Sequence, residues 1–318
     1  MSPAPQLDRR LVVVTGKGGT GKSTVAAALA LLAARQGKRV LVAEVNAVER
    51  VAPLLGAPPA GSSIHQARPG IFTVNVTPPA ALREYGLQVV RIQALYDAVF
   101  ENRVVRHFLR VVPGLGELVM LGKILHEARA EERGRPRWDQ VIIDAPATGH
   151  AVQLLRVPGA MLGMVPPGPL RSDAQWMQAW LVDPALTTAV VVTLPEEMPV
   201  AEAIELDGQL RQKVGLAPAA VLVNAMPEPR FTSAQVDRLV SLASAPPPLG
   251  PAANAARLHA VRTAAAGREL KRLRAALHLP MALLPLVASV GWGLAEVERI
   301  ADALAGRDGR SPWLEPVP

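Results

Sequence analysis

The chain has 318 residues, half of them hydrophobic and 19% charged, which supplies a large core and excludes a disordered or fibrous class. It holds no cysteine, so disulfides and thiolate metal sites are excluded. The formal charge of +7 reflects an arginine-rich composition, with lysine only at 17, 22, 38, 123, 213 and 271 and no long basic block, so nucleic acid is not the expected partner. "MSPAPQLDRR" lacks the apolar region of a secretory leader, and "VAAALALLAA" is too short to span a bilayer. We therefore expect a cytoplasmic protein without a transmembrane segment, meeting a membrane only through a partner.

Along the chain the pattern is strand, loop, helix, repeated. "LVVVT" (11–15) is a continuous β-branched run of the kind a strand buried on both faces requires. "KSTVAAALALLAARQG" predicts a helix of strong formers that stops at Gly37. "RVLVAEV" and "IFTVNV" (71–76) read as the next buried strands, the latter ended by Thr77, Pro78 and Pro79. Residues 80–133 read as helical, interrupted by "VPGLGE" at 112–117. "QVIIDA" (140–145), "TAVVVTL" (188–194), "AAVLVNAM" (219–226) and "MALLPLV" (281–287) are further strands. Helices are expected at 150–157, 200–213, 255–277 and 294–305, with "SAPPPLGPAA" (244–253) as a loop. This alternation predicts an α/β fold: a doubly wound, mainly parallel sheet with helices on both faces. We expect one domain over 11–306 with a small helical subdomain at about 80–133 and 159–182. Residues 1–10 and 307–318 are expected to be tails, the latter frayed.

Between the first strand and first helix, "GKGGTGKS" satisfies G-x-x-x-x-G-K-[ST] over residues 16–23. Gly16, Gly18, Gly19 and Gly21 let backbone N–H groups turn inward around phosphate oxygens, with Lys17 and Thr20 filling the other loop positions. The helix N-terminus through Thr24 adds positive dipole. Lys22 is suited to neutralise the β- and γ-phosphates of ATP, and the Ser23 hydroxyl to bind Mg²⁺. Lys17 is a second lysine, at a loop position where almost any residue is tolerated.

With that second lysine, and with "DAPATGH" (144–150) and "LPEEMPV" (194–200) in order behind it, the sequence resembles the family of ArsA-type arsenical-pump ATPases and tail-anchored-protein targeting ATPases. The resemblance covers roughly residues 10–306. It implies a P-loop NTPase fold and a dimer, with itself or with a paralogous ATPase, in which Lys17 reaches the partner's nucleotide. It implies that Asp144 ends the Walker B strand and holds a Mg²⁺ water, and that Gly149 offers its N–H to the γ-phosphate. His150 reads equally as a structural hydrogen-bonder or a switch element. Glu196 and Glu202 would meet the nucleotide or loop lysine of the opposite subunit, against the plainer reading of an acidic helix start. Asn224 falls at the adenine-reading position, and Pro285 and Leu286 lie in the segment whose backbone closes over the base. A protein client is the implied partner.

Three features depart from the well-known members. Without cysteine there is no arsenite-thiolate site and no zinc-thiolate clamp between subunits. The segment 159–182 is short for a Met-rich client groove, so Met161, Met164, Trp176, Met177 and Trp180 either line a small client surface or cover the sheet. Finally, "LVAEVNAVER" puts Asn46 where an aspartate aligns the attacking water, with Glu44 two residues earlier as a displaced carboxylate. Slow hydrolysis is the expected result. A hydrolysis-impaired regulatory subunit and a MinD/ParA-type partitioning ATPase are the competing readings. The tail is no amphipathic helix for a membrane-bound version, and the arginines of 256–277 keep a DNA-bound one open.

Overall fold

The computed structural model describes residues 7–90, 114–306 and 312–315. In chain order the elements are β1 (Leu11–Gly16), α1 (Lys22–Arg35), β2 (Val40–Val45), α2 (Val51–Leu54), β3 (His65–Arg68), β4 (Ile71–Val76), α3 (Pro78–Val90) and α4 (Leu115–Arg129). A small hairpin, β5 (Glu131–Glu132) and β6 (Arg135–Pro136), precedes β7 (Gln140–Asp144), α5 (Thr148–Leu162), α6 (Pro169–Val182) and β8 (Thr187–Thr193). Then come α7 (Glu197–Gln209), β9 (Pro218–Met226), α8 (Ser233–Leu242), α9 (Leu249–Ala276), β10 (Met281–Pro285), α10 (Leu294–Leu304) and β11 (Trp313–Leu314).

Nine strands form one sheet in the order β11-β10-β9-β8-β1-β7-β2-β4-β3. All neighbours are parallel except at the two edges, where β3 and β11 run antiparallel. β1 lies between β7 and β8, and every one of its residues is buried, as an uninterrupted apolar run on a doubly covered sheet must be. Successive side chains along a strand point to opposite faces. Leu11, Val13, Leu41, Val141 and Ile143 accordingly enter one core with α4 and α5, while Val12, Val14, Val40, Val42 and Ile142 enter the other with α1 and α10. Parallel crossovers leave the strand C-termini on one edge, where open α/β sheets bind ligands.

Several local readings are corrected. Residues 131–136 form a hairpin rather than a helix end, because Arg133 and Gly134 both adopt positive φ (54° and 74°) and close a two-residue turn. α5 does not stop before Pro158 but runs to Leu162. Pro158 costs one helix hydrogen bond and crowds the carbonyl four residues earlier, and burial of Leu154, Leu155, Val157 and Met161 holds the turns around it. α8 has no buried residue and was missed in the periodicity, yet "TSAQ" is a capping box, with the Thr232 and Gln235 side chains each accepting from the other's backbone N–H. The proline-rich loop is shorter than expected, α9 beginning at Leu249. Part of the C-terminal tail is a strand: β11 pairs with Met281 and Ala282, and Trp313 packs on the core beneath. Of the expected helical stretch 80–133, residues 91–113 lie outside the described residues, as do most of both tails. Met161 and Met177 are buried, Trp176 and Trp180 pack partly buried against the same core, and Met164 is exposed.

Candidate functional site

The glycine loop leaves β1 at the sheet's C-terminal edge and enters α1 at Lys22. Its backbone is left-handed at Gly19 and Gly21, with φ of 87° and 89°. A Cβ on Gly16 would lie 2.1 Å from the Val192 carbonyl oxygen of β8, and one on Gly21 would lie 2.3 Å from Asn224 Nδ2. The Val192 carbonyl belongs to the sheet backbone and cannot retreat, and at Gly21 the positive φ itself disfavours a side chain. The loop is cross-braced: the Lys17 carbonyl accepts from Thr20 Oγ1 at 2.9 Å and from Lys22 Nζ at 3.0 Å. Asn224 at the end of β9 donates Nδ2 to the Thr20 carbonyl at 2.9 Å. No acidic residue stands in the first turn of α1, so its unpaired N–H groups and dipole present an uncompensated positive end. Burial lowers the Lys22 pKa below its ordinary value, with Asp144 pulling it back.

Two carboxyls lie beneath this cradle. Glu44 and Asp144 are directly opposed in the β2–β7 register and are 1% and 7% exposed. Glu44 Oε1 accepts from the N–H groups of Arg50 at 2.7 Å and Val51 at 3.3 Å. Glu44 Oε2 and Asp144 Oδ1 are buried with no hydrogen-bond partner. Burial pushes Glu44 up to about 7 against those two backbone hydrogen bonds, with Asp144 and Glu49 adding a smaller rise. Burial pushes Asp144 up to about 6, opposed by the neighbouring Ser23 hydroxyl and then by Lys22 and Arg50. Free carboxylate oxygens beside a serine hydroxyl fit a hard divalent cation. No group of three or more His, Cys, Asp or Glu able to hold a metal occurs among the described residues.

The other expected residues divide. Asn46 directly follows β2 in the left-handed region (φ 46°), exposed, its N–H donated to the Val76 carbonyl at 2.8 Å. Glu44, not Asn46, is therefore the β2 side chain set against Asp144. Lys17 Nζ lies 2.5 Å from Glu202 Oε1 of the same chain, both about one-third exposed. Glu196 is the exposed residue before α7. Gly149 is exposed in the first turn of α5, so its N–H has no intrahelical partner, and a Cβ on Gly18 would lie 3.9 Å from Ala147 Cβ just before that helix. Pro285 and Leu286 are exposed at the end of β10, and the Leu286 N–H is donated to the Met226 carbonyl at 3.0 Å. His150 is exposed and donates its backbone N–H to the Ala147 carbonyl. Sequence reasoning missed Trp292, which lines the cavity of about 700 Å³ that runs from the glycine loop to α2. The only available signal was a bulky aromatic inside an otherwise small-residue loop, "ASVGWGL".

The Glu44 shift has a measurable consequence. Its ordinary value is 4.5 and its folded value about 7, so between these pH values the unfolded chain gives up a proton that the folded chain keeps. Rising pH across that window destabilises the ligand-free fold. Glu44→Gln should remove this component, on the order of 2–3 kcal/mol. The check is the difference in urea midpoint between wild type and variant at pH 5 and pH 7.5. Midpoints that shift in parallel would refute it.

Residues 9–165 match the family described as anion-transporting ATPase. ATPase BagA of Mycobacterium tuberculosis is 33% identical over 227 residues, which is 68% of this chain and 64% of BagA. The arsenical pump-driving ATPase of Escherichia coli is 28% identical over 162 residues, 49% of this chain and 26% of that protein. That of Acidiphilium multivorum is 28% identical over 159 residues, 49% of this chain and 26% of the relative. The chain thus spans somewhat under two thirds of BagA and about a quarter of the arsenical-pump proteins. The matched residues contain the glycine loop, Glu44, Asp144 and Gly149, and the chain belongs to the ArsA-type family of anion-transporting ATPases.

Proposed function

We propose that the chain is a nucleotide-switched ATPase that binds Mg²⁺–ATP, works as a dimer with itself or a paralogous ATPase, and couples its nucleotide state to a protein client or partner. The observation that carries this reading is the second loop lysine. Lys17 lies on the rim of a complete phosphate cradle and is tethered to Glu202 rather than used by its own loop. An ammonium held by a partly exposed carboxylate is easily transferred to a stronger anion, and a triphosphate presented by another subunit is one. In this reading the N–H groups of 16–24 and the Lys22 ammonium hold the β- and γ-phosphates. Ser23 and Asp144 would hold Mg²⁺, which neutralises charge on the phosphates when bound. Gly149 offers its free N–H to the γ-phosphate, so loss of that group releases the start of α5.

Hydrolysis is proposed to be slow. A carboxamide at Asn46 accepts a hydrogen bond from water but takes no proton at neutral pH. Phosphoryl transfer has a loose transition state, so orienting the water matters more than deprotonating it. The penalty should therefore lie near the low end of general-base effects, about 10²-fold. The same residue favours one alternative, a subunit that binds ATP without turnover and regulates an active paralogue. Driving an arsenite pump, as the names of two relatives describe, is not proposed, because the thiolates that bind arsenite are lacking.

Lys22→Ala should abolish ATP binding in a folded chain, as measured by calorimetry; unchanged affinity would remove the nucleotide assignment. Lys17→Ala should keep ATP binding but lose dimer closure with a non-hydrolysable analogue. Light scattering that reports a wild-type monomer with and without analogue, and also with any co-purified paralogue, counts against the dimer. Asn46→Asp should accelerate single-turnover hydrolysis, with Glu44→Gln having the smaller effect. No change in Asn46→Asp together with arrest in Glu44→Gln would transfer the water-positioning role to Glu44 and make this an ordinary-rate enzyme.

A further inference from the structure

The cavity that starts at the glycine loop has a mixed lining. Lys22 and Ser23 stand with the loop glycines, Glu49 and Arg50 add charge, and Pro53 and Leu54 of α2 and Trp292 are the apolar part. Trp292 is 48% exposed, while Trp138 is 1% exposed in the core. A single exposed aromatic needs no special explanation, but this one is held in place. It belongs to the segment between β10 and α10, and hydrogen bonds brace it on both sides. Ser289 Oγ lies 2.7 Å from the Gly291 carbonyl and 2.8 Å from Glu296 Oε1, and the Gly293 N–H donates to Glu296 Oε2 at 2.9 Å. The Ser289 hydrogen bond, with the backbone N–H contacts, keeps the Glu296 carboxyl below its ordinary range. α10 follows at once, and its Val297 and Ile300 are buried in the same core as Val25 and Leu29 of α1. The indole is thereby carried at a set offset from the helix whose N-terminus forms the phosphate cradle.

Two donors in the region that sequence reasoning assigned to the base have protein partners. Asn224 Nδ2 holds the Thr20 carbonyl, and the Leu286 N–H holds the Met226 carbonyl. Pro285 has no N–H to give. Trp292 lines the cavity and is about half exposed. We infer that Trp292 is the stacking platform for the base of the bound nucleotide, an inference that rests on the nucleotide reading above and names the residue that separates a nucleoside triphosphate from a bare polyphosphate. Every base has a π-face, so the platform contributes affinity for the base without hydrogen-bond readout.

The test uses the full chain, its Trp292→Ala and Trp292→Phe variants, and two probes with Mg²⁺: ATP and inorganic tripolyphosphate. Removing one base–aromatic stack should weaken ATP binding about tenfold or more. Tripolyphosphate should bind all three chains alike, and Trp292→Phe should recover most of the ATP affinity. ATP affinity in Trp292→Ala within twofold of wild type overturns the platform while leaving the nucleotide reading intact. An equal loss of ATP and tripolyphosphate also overturns it, because the substitution would then have disturbed the cradle. A wild-type chain that binds neither probe sinks the nucleotide reading itself, and the platform with it.

Discussion

Everything at the site depends on the registry of β1 between β7 and β8. That pairing sets Val14 against Asp144 and Gly16 against Val192, so the strand ends and the glycine loop begins at one height on the sheet edge. A slip of one residue would send every core side chain of β1 to the opposite face. It would also lift Gly16 off Val192, where the absence of a Cβ is what permits the close approach. The same alignment continues through β2, which brings Glu44 level with Asp144. Packing of aliphatic strands and placement of charged groups are therefore one constraint.

The electrostatic arrangement follows from that burial. Two carboxyls on adjacent strands are removed from water close to one ammonium, Lys22, and to a helix N-terminus. Desolvation disfavours the charged form of all three groups and moves acid and base in opposite directions. With values of about 7 and about 6 the two carboxyls titrate near neutrality, and protonation of either as pH falls limits the repulsion between them.

Lys17 is the other cation of the glycine loop. Its tie to Glu202 joins the glycine loop to α7, and Gly18 faces the residue before α5, so one loop touches two helices that begin at the sheet edge. Partly exposed ion pairs contribute little to stability. They are correspondingly easy to exchange, and an exchangeable contact between elements is what a nucleotide-dependent change of shape requires.

Local sequence determined much of this. Short continuous β-branched runs favour strands covered on both faces, and the glycine spacing with Lys22 and Ser23 reads as a phosphate-binding loop from local sequence alone. The hairpin turn at Arg133–Gly134 and the capping box at Thr232 were equally local and were readable in principle. What the linear pattern did not carry was relation across distance. Counting along the chain placed Asn46 at the water-aligning position; the register with β7 adds that Glu44 stands against Asp144, while Asn46 is exposed beyond the strand end. Pro158 looked like a stop, but burial of its neighbours against the sheet kept α5 continuous. Only the folded chain brought Asn224 within reach of Thr20, 204 residues away. Trp292 lies even further from the glycine loop in sequence and joined the cavity only because α10 packs on α1. Periodicity and motif act over a few residues, whereas the neighbours of a side chain at a sheet edge are chosen by strand order, which only tertiary packing decides.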